Sequence, residues 1–178
     1  MMKRGNKLLL KEIKLPFANK IKVYAFVGPS GTGKSYRAQM VASERNINYI
    51  IDDGLLIKEN EVIAGESAKK APTKVGTVKH ALFYEEEERE IIVKALKKYR
   101  PESILILGTS DGMVQKIAAN LGLPEISETI YITDVATEQE MKTARRIRET
   151  EGKHVIPVPT FENAEYCKTA QVPAFLFR

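Results

Sequence analysis

The residues able to do chemistry in this chain are concentrated in one stretch, Gly28-Pro29-Ser30-Gly31-Thr32-Gly33-Lys34-Ser35. The octet satisfies G-x-x-x-x-G-K-[ST] at every fixed position, and an apolar run, Val23 to Val27, leads directly into it. Glycines in such a loop let successive backbone N–H groups approach phosphate oxygens with no Cβ in the way. A helix opening there adds unpaired amides and the positive end of its dipole. Lys34 would bring its charge to the β- and γ-phosphates of a nucleoside triphosphate, and the Ser35 hydroxyl would ligate Mg²⁺. The expected nucleotide-binding residues are this octet together with Tyr36, which follows it. No N-K-x-D segment for guanine readout occurs, so ATP with Mg²⁺ is the expected ligand pair.

Magnesium beside phosphates takes one or two protein carboxylates and keeps several waters. The apolar run Ser103–Gly108 would be a natural source, yet it ends Leu107-Gly108-Thr109 with no carboxylate. Tyr49-Ile50-Ile51 ends instead in Asp52-Asp53. The double aspartate is then the candidate source, with Asp52 the expected metal ligand and the choice between carboxylates left open; Lys34, Asp52 and Asp53 are the expected catalytic residues. Asp111 reads as a helix cap. Asp134 reads equally as a partner of the glycine-rich loop or as a turn residue at a strand end. Glu85 to Glu88 read as a solvated helix face. His80 and His154 have no second ligand at zinc spacing, and Cys167 sits in no nucleophile motif.

The elements that must position these groups follow from hydrophobic period and breakers. Strands are expected over 21–27, 49–51, 103–108, 129–133 and 154–158, and a small β-hairpin over 55–63. Helices are expected from Gly33 to about Arg45, from about Val78 to Tyr99, and after Gly108 with a stop at Gly122. Another opens at Thr137-Glu-Gln-Glu140, a capping-box pattern, and carries Arg145, Arg146 and Arg148 to a stop at Gly152. The segment Gly65–Thr77, with Lys69, Lys70 and Lys74, reads as a surface loop. The expected architecture is α/β in three layers: about five mostly parallel strands, helices on both faces, and the hairpin as an insertion. Ligands of such sheets bind at the carboxyl ends of the strands, which puts Gly28–Ser35, Asp52-Asp53, Gly108–Asp111 and Asp134 on one rim.

Across the octet the chain resembles the P-loop NTPases, and in its details it is similar to their small-molecule kinase branch, which includes shikimate kinase and adenylylsulfate kinase. The resemblance spans about residues 21–160 in element order, and only the octet is specific. It implies that a strand-two aspartate, here Asp52 or Asp53, contacts substrate or metal and accepts the proton of an attacking hydroxyl. Gly108 sits where those kinases carry a glycine at a strand tip. Their arginine-bearing lid has no counterpart of normal length here. Arg145, Arg146 and Arg148 lie within a capped helix, and the lysines of the 65–77 loop are the other candidate cover.

With 43% apolar and 29% charged residues among 178, the chain is composed as a globular domain, with neither disorder nor a membrane protein favoured. The net charge of +5 is uneven: residues 1–22 hold seven Lys/Arg against Glu12, a net of +6, so the other 156 residues sum to −1. The expected division is a basic flank over 1–20 and a single domain over 21–178. Nucleic acid is not expected as a partner on this charge distribution. No apolar stretch reaches membrane-spanning length. The single cysteine permits no internal disulfide, and a cytoplasmic location is expected. Function narrows to a Mg²⁺-dependent phosphotransferase acting on a small acceptor, or a nucleotide-dependent switch without one; a nucleic-acid-associated NTPase, the third reading, has only the basic first 22 residues to support it.

Overall fold

The structure, a computed structural model, describes residues 15–68 and 73–151. Strict alternation in three central strands builds the layers. β1 (Lys22–Val27), β2 (Tyr49–Asp52) and the later strand Ser103–Gly108 are apolar on both faces. Val23, Ala25, Val27, Ile51, Ile104 and Ile106 enter one buried cluster. Tyr24, Phe26, Ile50, Leu105 and Leu107 enter the other. A sheet buried this way on both sides needs helices on both, as expected of parallel strands. Each fully buried Ile or Phe contributes about 1.5–3 kcal/mol.

The remaining elements follow in chain order. α1 (Lys34–Glu44) follows β1. β3 (Leu55–Lys58) and β4 (Glu61–Gly65) follow β2. α2 (Lys74–Ala81) and α3 (Glu86–Tyr99) precede the strand Ser103–Gly108, which is β5. α4 (Asp111–Asn120), β6 (Ile126–Tyr131), the single turn α5 (Ile132–Val135) and α6 (Glu138–Glu151) complete the described chain. The sheet has six strands in the order β4-β3-β2-β5-β1-β6. β1 pairs in parallel with β5 and with β6, and β2 in parallel with β5. The β2–β3 and β3–β4 pairings are antiparallel.

The helices sort by direction of travel. α1 carries the chain from β1 outward past β5 to β2, and its Ala38, Val41 and Ala42 pack with Phe26 and Leu107. α3 and α4 carry it back the other way, and Ile92, Leu96, Val114 and Ile117 pack on the opposite face. Opposite directions on opposite faces give crossovers of one hand, as the sterics of twisted strands demand. Ile132, Ala136 and the partly buried Met141 put α5 and the start of α6 on the α1 side.

Several expectations need correction. The hairpin over 55–63 is not an insertion: β3 pairs with β2 from Tyr49↔Lys58 to Asp52↔Leu55 and continues the main sheet. The two residues between them, Asp53 and Gly54, have φ of 46° and 88°, the paired left-handed geometry of an Asp-Gly type I′ turn. The single helix expected from Val78 to Tyr99 is two helices. Between them Phe83 takes φ of 55° and is 1% exposed, so burying its ring outweighs continuing the helical bond ladder. The strand expected over 129–133 spans Ile126–Tyr131, and Asp134 lies in the α5 turn, where its Oδ2 accepts from Tyr131 N at 2.8 Å. The expected 154–158 strand, His154, Cys167, the Gly152 stop, Lys69 and Lys70 lie outside the described residues, as do positions 1–14 of the basic flank. Among the described residues no helix is long and apolar enough to cross a membrane.

Candidate nucleotide-binding site

The loop from Gly28 to Gly33 leaves the end of β1 at the centre of the parallel strands. Gly31 and Gly33 hold φ of 79° and 88°. A residue with a Cβ reaches such values at a cost of about 1–2 kcal/mol, so glycine at these positions is what lets the chain bend here. The loop is braced by its own side chains: Thr32 Oγ1 donates to Pro29 O at 2.7 Å, and Lys34 Nζ donates to Gly28 O at 2.6 Å and to Pro29 O at 2.9 Å. The amides of Ser30, Gly31, Thr32 and Gly33 donate to no carbonyl among the described residues. Gly28 abuts Ile132 so closely that a Cβ would overlap its side chain, which fixes the loop's start against α5.

Ser35, in the first turn of α1, donates from Oγ to Asp52 Oδ2 at 2.6 Å. The contact joins residues 17 apart in sequence, and Asp52 is 7% exposed. Two oxygens of the types that hold magnesium thus converge beside the unspent loop amides, so these residues fit a Mg²⁺–polyphosphate group. Asp53 lies one residue further on, in the type I′ turn, where its carbonyl accepts from Ala68 N at 2.8 Å. Tyr36, on the same helix as Ser35, is 40% exposed.

α6 lies over the loop. Arg148 Nη1 donates to Ser30 Oγ at 2.8 Å. Ala144 Cβ stands 3.5 Å from where a Cβ on Gly33 would be. Ser30, Gly31, Arg145, Arg148 and Glu149 line an open cleft of about 500 Å³. Arg145 and Arg148 therefore flank the loop; Arg146 is not among the lining residues. The expected capping box at the start of α6 is present: Thr137 N donates to Glu140 Oε2 at 2.7 Å, and Glu140 N donates to Thr137 Oγ1 at 3.3 Å. Hydrogen bonds from the Thr137 backbone and hydroxyl, with the nearby Arg37 guanidinium, hold the Glu140 carboxyl below its ordinary pKa. Arg37 Nη2 meets Glu140 Oε1 at 2.9 Å and ties α1 to α6.

No protein-family model, no curated protein and no solved structure matches the chain.

The other rim residues have structural partners. Ser110 caps α4 by accepting from Met113 N at 3.3 Å, a role for which Thr109 and Asp111 are equally eligible by sequence. Asp111 instead accepts from Tyr131 Oη at 3.1 Å, and that bond, with the adjacent charge, raises the tyrosine pKa. His80, which has no zinc partner at ligand spacing, has a structural place. Its Nδ1 pairs with Glu88 and its Nε2 meets Glu66 O at 2.7 Å, which seats α2 over the Asp53–Gly54 turn. Lys74 is the exposed first residue of α2. Among the described residues no group of three His, Cys, Asp or Glu is placed to hold a metal.

Proposed function

We propose that the chain binds a nucleoside triphosphate with Mg²⁺ on the Gly28–Ser35 loop, as a P-loop phosphotransferase acting on a small acceptor. The observation that carries this reading is the 2.6 Å approach of Ser35 Oγ to Asp52 Oδ2 beside amides that have no other acceptor among the described carbonyls. Lys34, now bonded to Gly28 O and Pro29 O, would exchange these carbonyls for β- and γ-phosphate oxygens. Ser35 and Asp52 would hold the magnesium, whose charge would offset that of the phosphates. Arg145 and Arg148 would add positive charge from α6, with Glu149 as the one opposing carboxylate lining the cleft. Positioning and electrostatics supply most of the catalysis in such transfers. The γ-phosphoryl would pass to an acceptor hydroxyl near the end of β2, where Asp52 or Asp53 would take the proton, leaving the nucleoside diphosphate.

A second reading, a nucleotide-dependent switch, draws on the contact between Arg148 and Ser30. A γ-phosphate beside Ser30 would compete for that guanidinium and so bias the position of α6. Melting in the presence of Mg²⁺ and a non-hydrolysable ATP analogue tests the shared core of both readings. A ligand present at one hundred times its Kd stabilises by about 2.7 kcal/mol, and Lys34→Ala and Ser35→Ala should each remove most of that gain. An unchanged gain in both variants would overturn the site. Hydrogen exchange in α6 that differs between the diphosphate and the triphosphate analogue selects the switch.

A further inference from the structure

We infer that the opposite end of the sheet, where the parallel strands begin, is a binding surface for single-stranded nucleic acid. Cations from separate segments gather there. Lys20 stands before β1, and Lys58 lies opposite Tyr49 at the start of β2. Lys97, Lys98 and Arg100 end α3, where the chain turns into β5. Near-neutral charge over 156 residues therefore conceals a local basic strip.

Rings alternate with these cations. Lys58 Nζ stands 6.0 Å from the Tyr49 ring centre and 5.6 Å from that of Tyr99. Lys98 Nζ is 5.1 Å from the Tyr99 ring, and the Arg100 guanidinium is 5.9 Å from that of Phe17. Tyr49 and Tyr99 are tilted neighbours with centroids 6.5 Å apart. Half-buried rings thus underlie Lys58, Lys98 and Arg100. Among the described residues none of Lys20, Lys97, Lys98 and Arg100 forms an ion pair. Of the carboxylates at this end, those of Glu44 and Glu128 are engaged by Arg45, and exposed Glu59, Glu61, Glu102 and Glu125 do not line the cleft described next.

The surface is concave around Phe17. Pro16, Phe17, Lys20, Lys97 and Arg100 line an open cleft of about 540 Å³ between the 3₁₀ turn Ala18–Lys20 and the end of α3. A cleft lined by three cations and no carboxylate, with Lys58 and Lys98 beside it, matches the closely and regularly spaced charges of a flexible phosphodiester strand. A lipid surface is the poorer fit, because the rings lie half-buried beneath the cations and do not project to insert. The strip lies across the sheet from the glycine-rich loop, so the two ligands would not compete.

The test uses the full chain and fluorescence anisotropy with a labelled oligouridylate over a salt series. Binding should weaken steeply with salt, by a log–log slope of about 0.7 per phosphate neutralised. Lys97→Glu with Arg100→Glu should lower affinity at least about tenfold at low salt and flatten the slope by about 0.7 for each phosphate left without its cation. Lys34→Ala should bind the oligonucleotide as the wild type does, which separates this surface from the proposed nucleotide site. Equal affinity and slope in the double variant would overturn the inference, placing any binding elsewhere. So would loss of binding in Lys34→Ala, or charge reversal that weakens capture by phosphatidylserine vesicles and leaves the oligonucleotide unaffected.

Discussion

The two ends of the sheet are built on different principles. At the carboxyl ends of the strands the backbone does the shaping: Gly31, Gly33, Gly54 and Gly65 all have positive φ, and side chains such as Thr32, Lys34 and Ser35 bond inward to loop carbonyls or to Asp52. At the amino ends most of the left-handed turns are taken by residues other than glycine, Asn46, Glu59 and Arg100 at φ of 54°, 53° and 44° beside Gly122 at 67°, and exposed side chains supply the character. A backbone-shaped end tolerates little change, because one added methyl group meets fixed atoms. A side-chain-shaped end should respond by degrees, and in proportion to salt.

Gly65→Ala gives the sharpest contrast. Its Cβ would overlap the Gly54 carbonyl oxygen and come within 3.0 Å of Ile92 Cδ1, at a φ of 90°. Strain and overpacking together should destabilise the chain by about 2–4 kcal/mol in urea unfolding. A loss below about 0.5 kcal/mol would show that the rim yields more than its geometry implies.

A smaller effect is expected from Glu140→Gln, and its sign depends on pH. Because the folded pKa of Glu140 is depressed, its stabilisation is present above the unfolded glutamate pKa of about 4.3 and is lost as pH falls through the folded value. Melting curves of wild type and variant should therefore differ most near neutrality and converge in acid. Divergence in acid would contradict the assignment.

The smallest effect belongs to the amino end. Lys98→Ala removes one exposed cation over Tyr99 and should change stability by only about 0.5 kcal/mol. A loss rivalling that of Gly65→Ala would erase the distinction between the two ends.

The same division governs what is legible in the sequence. The octet, the apolar strands β1, β2 and β5 and the Thr137–Glu140 capping box are local patterns, and they stand where their spacing puts them. The Asp53-Gly54 pair between two apolar runs is equally a hairpin-turn signal, although its carboxylate reads first as a catalytic group. The break at Phe83 is not legible, since no Gly or Pro marks it and tertiary burial of the ring imposes it. Nor is the contact of Arg148 with Ser30, which spans 118 residues. The one local hint is Ala144, the smallest residue of α6, marking where that helix closes on Gly33. The basic strip is hidden because its cations come from separate segments whose charges cancel in any running sum.

The irregular pairing of β3 with β4 bears on how this molecule behaves in a crowded solution. Among the described residues β4 is an outer strand of five residues, beginning with exposed Glu61 and ending at Gly65, and its register to β3 slips between Leu56 and Ile57. A short, charged and kinked border gives a second copy no regular ladder to extend. Straightening that slip by deleting one residue of β4 would lengthen the ladder and invite self-association along it.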